Sequence, residues 1–199
     1  MAKVLDIHSE QPEILARIVN AQEKVQARLL LVSRLLNEAG IPYAIVGGNA
    51  VAAWVATVDE SLVRATRDVD VLVRPQDLAR IREVLEAGGF VYRHSAEMDM
   101  FLEDADAKAG DAIHLIYAGQ YVRPDHVLPA PDVDDSGIGE AFKVIPLESL
   151  VRTKLVAWRR KDQVHLLDLL SAGLIDSSWP QRFQDPLRGR LQELIDNPE

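Results

Sequence analysis

The 199-residue chain contains no cysteine, which excludes disulfides, cysteine-ligated zinc and thiol nucleophiles, and leaves the redox compartment open. No apolar run approaches the roughly 18–20 residues needed to cross a bilayer. The opening Met1-Ala2-Lys3-Val4-Leu5-Asp6 lacks the apolar core of a secretory signal. A cytoplasmic protein with no membrane partner is therefore expected. Positive charge is also short: 22 Lys and Arg stand against 31 Asp and Glu, for a net charge of −9. Extended nucleic-acid binding relies on neutralising many phosphates, so this balance disfavours it. It favours a small-molecule or protein substrate, with room left for an RNA end held by one local basic patch. Internal repeats and low-complexity tracts are absent as well.

What the chain does have is a hydrophobic fraction of 48%, ample for the core of one ordinary domain. Residues 11–39 read as one or two helices, with Val25, Leu29, Val32 and Leu36 on one stripe that fits either a core or a dimer contact. Gly40 and Pro42 end that segment. Short strands are expected at 43–46, 69–73, 112–117 and 142–145, with a hairpin over 90–102. Helices are expected at 50–57, from Pro75 to Gly88, over 146–172, and at 187–195. Residues 123–139, rich in proline and aspartate, read as a loop long enough to be functional. The alternation predicts an α+β fold, a small mixed sheet flanked by helices. Its organisation is a helical segment at 1–40 packed on the core, a core at 41–145 and a helical segment at 146–199.

Two local features carry chemistry. Gly47-Gly48 follows the strand at 43–46, where glycine lets backbone approach a phosphate at a helix N-terminus. The pattern fits neither the phosphate loop ending in Gly-Lys-Thr nor the three-glycine dinucleotide fingerprint. Some twenty residues later, Asp68 and Asp70 sit at alternate positions, which places both on one face of a strand. An aspartate amid Val69, Val71, Leu72 and Val73 is costly unless a cation compensates it. Magnesium is held by one or two carboxylates plus substrate phosphates, which matches. His8, His94, His126 and His165 show no metal-ligand spacing, so a zinc hydrolase is unsupported.

The stretch Val46-Gly47-Gly48-Asn49-Ala50 through Arg64-Ala65-Thr66-Arg67-Asp68-Val69-Asp70-Val71-Leu72-Val73 resembles the nucleotidyltransferase superfamily that includes DNA polymerase β. It is most similar to the small bacterial, minimal-nucleotidyltransferase branch, which has abortive-infection type toxins among its relatives. The resemblance implies the nucleotidyltransferase fold with C-terminal helices, and a nucleoside triphosphate as substrate. Gly47, Gly48 and Asn49 would lie against its phosphates, and Asp68 and Asp70 would hold two Mg2+ ions. A hydroxyl acceptor on a small molecule, protein or RNA end would attack the α-phosphate and release pyrophosphate. In the family, a Lys-x-x-Ala-x-Arg-x-Lys-Asp run follows the core; Lys154, Ala157, Arg159, Lys161, Asp162 and Asp168 match it here, and His165 stands where aspartate is common. The resemblance makes Lys154 and Arg159 triphosphate ligands, with Asp162 orienting one of them. Read without it, the run is a solvated charged helix. Arg64 and Arg67 flank the aspartates and could neutralise them or a phosphate.

One departure stands out. Active relatives carry a third carboxylate on a later strand, and the matching segment here, Asp111-Ala112-Ile113-His114-Leu115-Ile116-Tyr117, presents His114. Asp111 is aimed away by alternation. His114 is then a general base, a metal ligand, a backbone-bonded core histidine or the mark of a lost activity. Two functions follow: a Mg2+-dependent nucleotidyltransferase, or a catalytically impaired binding module, with a partner protein in a toxin–antitoxin pair or a second copy of the chain.

Overall fold

The computed structural model describes residues 11–133, 139 and 141–197. A 28-residue helix, α1 (Gln11–Glu38), leads into strand β1 (Tyr43–Val46) and helix α2 (Gly47–Ala56). Strand β2 (Val69–Val73) and helix α3 (Leu78–Ala87) follow, then the hairpin of β3 (Val91–Ser95) and β4 (Met98–Leu102), and strand β5 (Ile113–Tyr117). Helices α4 (Leu147–Ala157), α5 (Arg160–Ser171) and α6 (Leu187–Asp196) complete the described chain. The five strands form one mixed sheet in the order β1-β2-β5-β4-β3, with β2 and β5 parallel and the other pairs antiparallel. This is the α+β architecture expected.

Strand alternation divides the core between the two faces of the sheet. Val69, Val71, Val73, Ile113, Leu115 and Phe101 point one way and are buried with Leu29, Val32 and Leu36 of α1 and with Ile81 and Leu85 of α3. Leu72 and Ala44 point the other way, against Val51 and Val55 of α2, Leu150 and Leu155 of α4, Leu166 of α5 and Leu191 of α6. Only the C-terminal half of α1 is buried this way; Leu15, Ile18 and Val19 are exposed. No described helix is long and apolar enough to cross a membrane.

Three boundaries differ from the sequence reading. Helix α2 starts at Gly47 rather than Ala50, since the chain passes from strand to helix with Val46 as its N-cap and no intervening loop. Residues 142–145 make no strand: Val144 forms an isolated bridge to Ile45, and Pro146 then starts α4. The helix foreseen over 146–172 is two helices, broken where Trp158 takes a left-handed φ of 49°. No glycine or proline marks that break. Instead, the indole packs on the apolar cluster beneath α4, and the Asp162 carboxylate accepts the Arg159 backbone N–H to start a new helix. The described part of the 123–139 loop folds back on the end of β5, with reciprocal backbone bonds joining Gly119 and Gln120 to Ala130; residues 134–138 lie outside the described chain.

Because Phe101 of β4 is fully buried, Phe101→Ala is expected to lower stability by about 3–5 kcal/mol, read from urea unfolding.

Candidate active site

The site grows from the junction of β1, α2 and β2. Gly47 has a φ of 69°, and a Cβ there would lie 2.0 Å from the Asp70 Oδ2 atom. Any side chain would be both strained and in collision with the carboxylate, so glycine is required. A Cβ on Gly48 would fall 2.8 Å from the Thr66 hydroxyl. The first turn of α2 therefore lies directly against the segment bearing both aspartates, with its unpaired amides at the positive end of the helix. Asn49 donates its side-chain amide to the Asp68 carbonyl at 2.7 Å. It braces the metal-facing segment rather than presenting that group to a ligand.

Thr66 Oγ1 donates to Asp68 Oδ1 at 2.9 Å. Burial works against the Asp68 charge, but this bond, an amide bond and the neighbouring Lys161 and His114 side chains outweigh it, holding the carboxyl below its usual range. Parallel pairing sets Asp70 in register with His114, so both side chains leave the same face of adjacent strands. His114 Nδ1 lies 3.5 Å from Asp70 Oδ1, with both side chains mostly buried. One ligand atom from each of Asp68, Asp70 and His114 lies within 4.8 Å of the other two. Two carboxylates and an imidazole converging over that span fit a divalent cation.

Helices α4 and α5 close the site from above. Lys154 is 4% exposed, and its Nζ meets Asp162 Oδ1 at 3.3 Å. Arg159 Nε reaches Asp162 Oδ2 at 2.6 Å. Burial pulls the Lys154 ammonium down from its ordinary value, while Asp162 and Asp70 support the charge. Burial likewise opposes the Asp162 charge, but Arg159 and Lys154 prevail and hold it low. The charged run is thus only partly a solvated face: Arg159, Arg160 and Lys161 are exposed, whereas Lys154 is an interior group paired with Asp162 and supported by Asp70. Behind it, His165 Nδ1 is buried with no hydrogen-bond partner among the described residues. Burial, reinforced by Lys154, pushes this imidazole down to about 4.

Two hollows meet at Asp70, Lys154 and Arg159. One is polar, lined also by Gly48, Thr66, Arg67, Asp68 and Lys161. The other is open and largely apolar, walled by Leu72, Ile116, Val122, Leu128 and Pro129, with His126 and Arg152 at its polar edge. Of the residues singled out from sequence, Gly47, Gly48, Asp68, Asp70, His114, Lys154 and Arg159 converge here. Arg67 lines the polar hollow but is committed to Asp111 at 2.9 Å and largely exposed. Arg64 is turned to Asp168, bridging it at 2.8 Å. Sequence reasoning passed over Thr66, whose hydroxyl two residues before an aspartate was the available signal. Length and composition single out the 123–139 loop, but that it supplies an apolar wall beside Asp70 has no local signal.

Gly47→Ala is expected to cost more than about 1–2 kcal/mol and to abolish nucleoside triphosphate binding, as read by denaturant unfolding and fluorescence titration. The His165 environment sets a pH dependence. Its folded value near 4 lies below the ordinary 6.5, so as pH falls the unfolded chain takes up the proton first. Stability should fall between pH 6.5 and 4 and that loss should level off below; His165→Gln should flatten this limb of a Tm-against-pH curve.

No curated protein matches the chain significantly in sequence. In three dimensions it is similar to an antigenic nucleotidyltransferase-like protein from Paracoccidioides brasiliensis, with a TM-score of 0.56 at 16% identity over 89% of this chain and 90% of that one. The polyadenylate synthase of Megavirus gives 0.54 at 12% identity, over 88% of this chain and 39% of that longer one. ANT(2'')-Ia, solved in complex with adenylyl-2''-tobramycin, gives 0.51 at 12% identity, over 86% and 97%. Such distant likenesses establish the shared fold. Residues 6–132 match the family model described as uncharacterised nucleotidyltransferase, and with that match over most of its length the chain belongs to this nucleotidyltransferase family.

Proposed function

We propose that the protein transfers a nucleotide from a nucleoside triphosphate to a hydroxyl acceptor, using a divalent cation held by Asp68 and Asp70. The observation that carries this reading is the convergence of those carboxylates, the first turn of α2 and the buried Lys154 on one polar hollow. In the reaction the acceptor hydroxyl gives up its proton to solvent, its oxygen bonds to the α-phosphorus, the bond to the β-phosphate oxygen breaks, and pyrophosphate leaves. A bound cation supplies charge neutralisation on phosphate oxygens and a lowered pKa for the acceptor hydroxyl. The chain's own part is positioning and electrostatics. The amides of Gly47 and Gly48 face the phosphates at the positive end of α2. Lys154, fixed by Asp162, and Arg159 oppose the negative charge. The apolar hollow beside Asp70 receives the uncharged part of a substrate and excludes water from that side. Adenylate is the first nucleotide to try, because two solved structures sharing the fold are a polyadenylate synthase and a complex with an adenylyl-tobramycin.

A second reading is favoured by one contact. An imidazolium at His114, 3.5 Å from Asp70, would neutralise that carboxylate without a cation, and the protein would bind nucleotide or a partner without turnover.

The two separate in a transfer assay with α-labelled triphosphates, divalent cation and a cell extract as acceptor source. The transfer reading expects label on an acceptor and pyrophosphate release, with Asp70→Asn lowering the rate at least about a hundredfold. Triphosphate binding without label transfer under any cation would overturn it in favour of the binding module.

A further inference from the structure

We propose that Asp68, Asp70 and His114 form a mixed carboxylate–imidazole site that takes a first-row transition dication, Mn2+ in preference to Mg2+, with His114 Nδ1 as a direct ligand. The inference rests on the reading of this hollow as a nucleotide-transfer site and adds the identity of its cation.

The backbone delivers the imidazole. Asp70 and His114 are register partners on adjacent parallel strands, both on the face that carries Leu72 and Ile116 into the α4 side of the core. A short, strand-anchored side chain in that position has little freedom to leave. Small side-chain shifts would close the set on one ion: bonds near about 2.1–2.2 Å put neighbouring ligands about 3 Å apart and opposite ligands about 4.3 Å apart. His114 Nδ1 and Asp70 Oδ1 are 3.5 Å apart, and the three ligand atoms fall within 4.8 Å.

Donor chemistry then selects among ions. Mg2+ demands oxygen ligands and sheds water reluctantly. Imidazole nitrogen suits transition ions, and di-manganese sites combine carboxylates with histidine. Charge fits a single dication and leaves the choice of ion to the nitrogen donor. Two carboxylates and a neutral imidazole balance a dication, whereas a third carboxylate in place of His114 would leave an excess negative charge to be met by a second hard cation. A proton on Nδ1 would instead make His114 an ion-pair partner of Asp70, unable to ligate. These are alternatives that a direct probe of the nitrogen separates.

The test uses the full chain with MnCl2 and MgCl2 alone. Bound Mn2+ is followed by loss of the free-ion EPR signal, Mg2+ by competition, and the ligand by nitrogen modulation in pulsed EPR. The wild-type protein should bind Mn2+ with modulation from one imidazole nitrogen. His114→Asp should abolish the modulation and lower the Mn2+/Mg2+ affinity ratio at least about tenfold. His114→Asn, checked for an unchanged thermal unfolding transition, should also lose the modulation. Bound Mn2+ without nitrogen modulation, an unchanged ratio in His114→Asp, or no Mn2+ binding by the wild-type protein would each overturn the proposal. Label transfer supported by Mg2+ without a nitrogen ligand would overturn this inference and leave nucleotide transfer standing. A nitrogen-ligated Mn2+ with no transfer under either cation would do the reverse.

Discussion

The carboxylate of Asp70 lies where the side chain of residue 47 would be, and the whole site is arranged around that contact. A Cβ at Gly47 would come within 2.0 Å of it, so β1 has to turn into α2 through a residue with no side chain and a positive φ. That turn brings the amide end of α2 onto the aspartate segment. The same carboxylate stands in a strand buried between two helical layers, where its charge is tolerable only with opposite charge close by. His114 beside it and Lys154 above it provide groups of the right kind. Glycine, aspartate, histidine and lysine therefore form one electrostatic unit contributed by α2, β2, β5 and α4.

The counter-charge is itself managed. A lysine that is 4% exposed is expensive without an acceptor, and Asp162 fills that role while also holding Arg159. Asp162 can do so because the chain breaks at Trp158 and restarts, which points the N-terminus of α5 and its first-turn carboxylate at Lys154. One residue thus caps a helix, neutralises a buried ammonium and aims a guanidinium. Removing one member of such a set leaves the others buried and uncompensated, which is why buried networks of this kind are costly to break.

Membership in the nucleotidyltransferase family and likeness to distant members of the fold describe a scaffold on which many acceptors are served. The resemblance read from the sequence expects an acid where His114 stands, and the structure sets that imidazole in register with Asp70 on the adjacent strand β5.

The sequence by itself determined the parts that depend on local periodicity and on residue type. Alternation put Asp68 and Asp70 together, apolar runs marked β1, β2 and β5, and the glycine pair marked the strand-to-helix turn; each is a short-range effect written in consecutive residues. The run from Lys154 to Asp168 drew attention to its residues but concealed their arrangement. The break at Trp158 has no glycine or proline to announce it, and it arises from packing of the indole and from the Asp162 cap. Residues 142–145 have strand-like composition, yet form only one bridge, from Val144 to Ile45 on the open edge of β1, before Pro146 ends the segment. Tertiary structure alone decided that Lys154 is buried, that Arg67 is spent on Asp111, and that the wall at 122–131 stands beside Asp70. Those facts depend on which surfaces meet across long sequence separations, and no local pattern in the chain encodes such meetings directly.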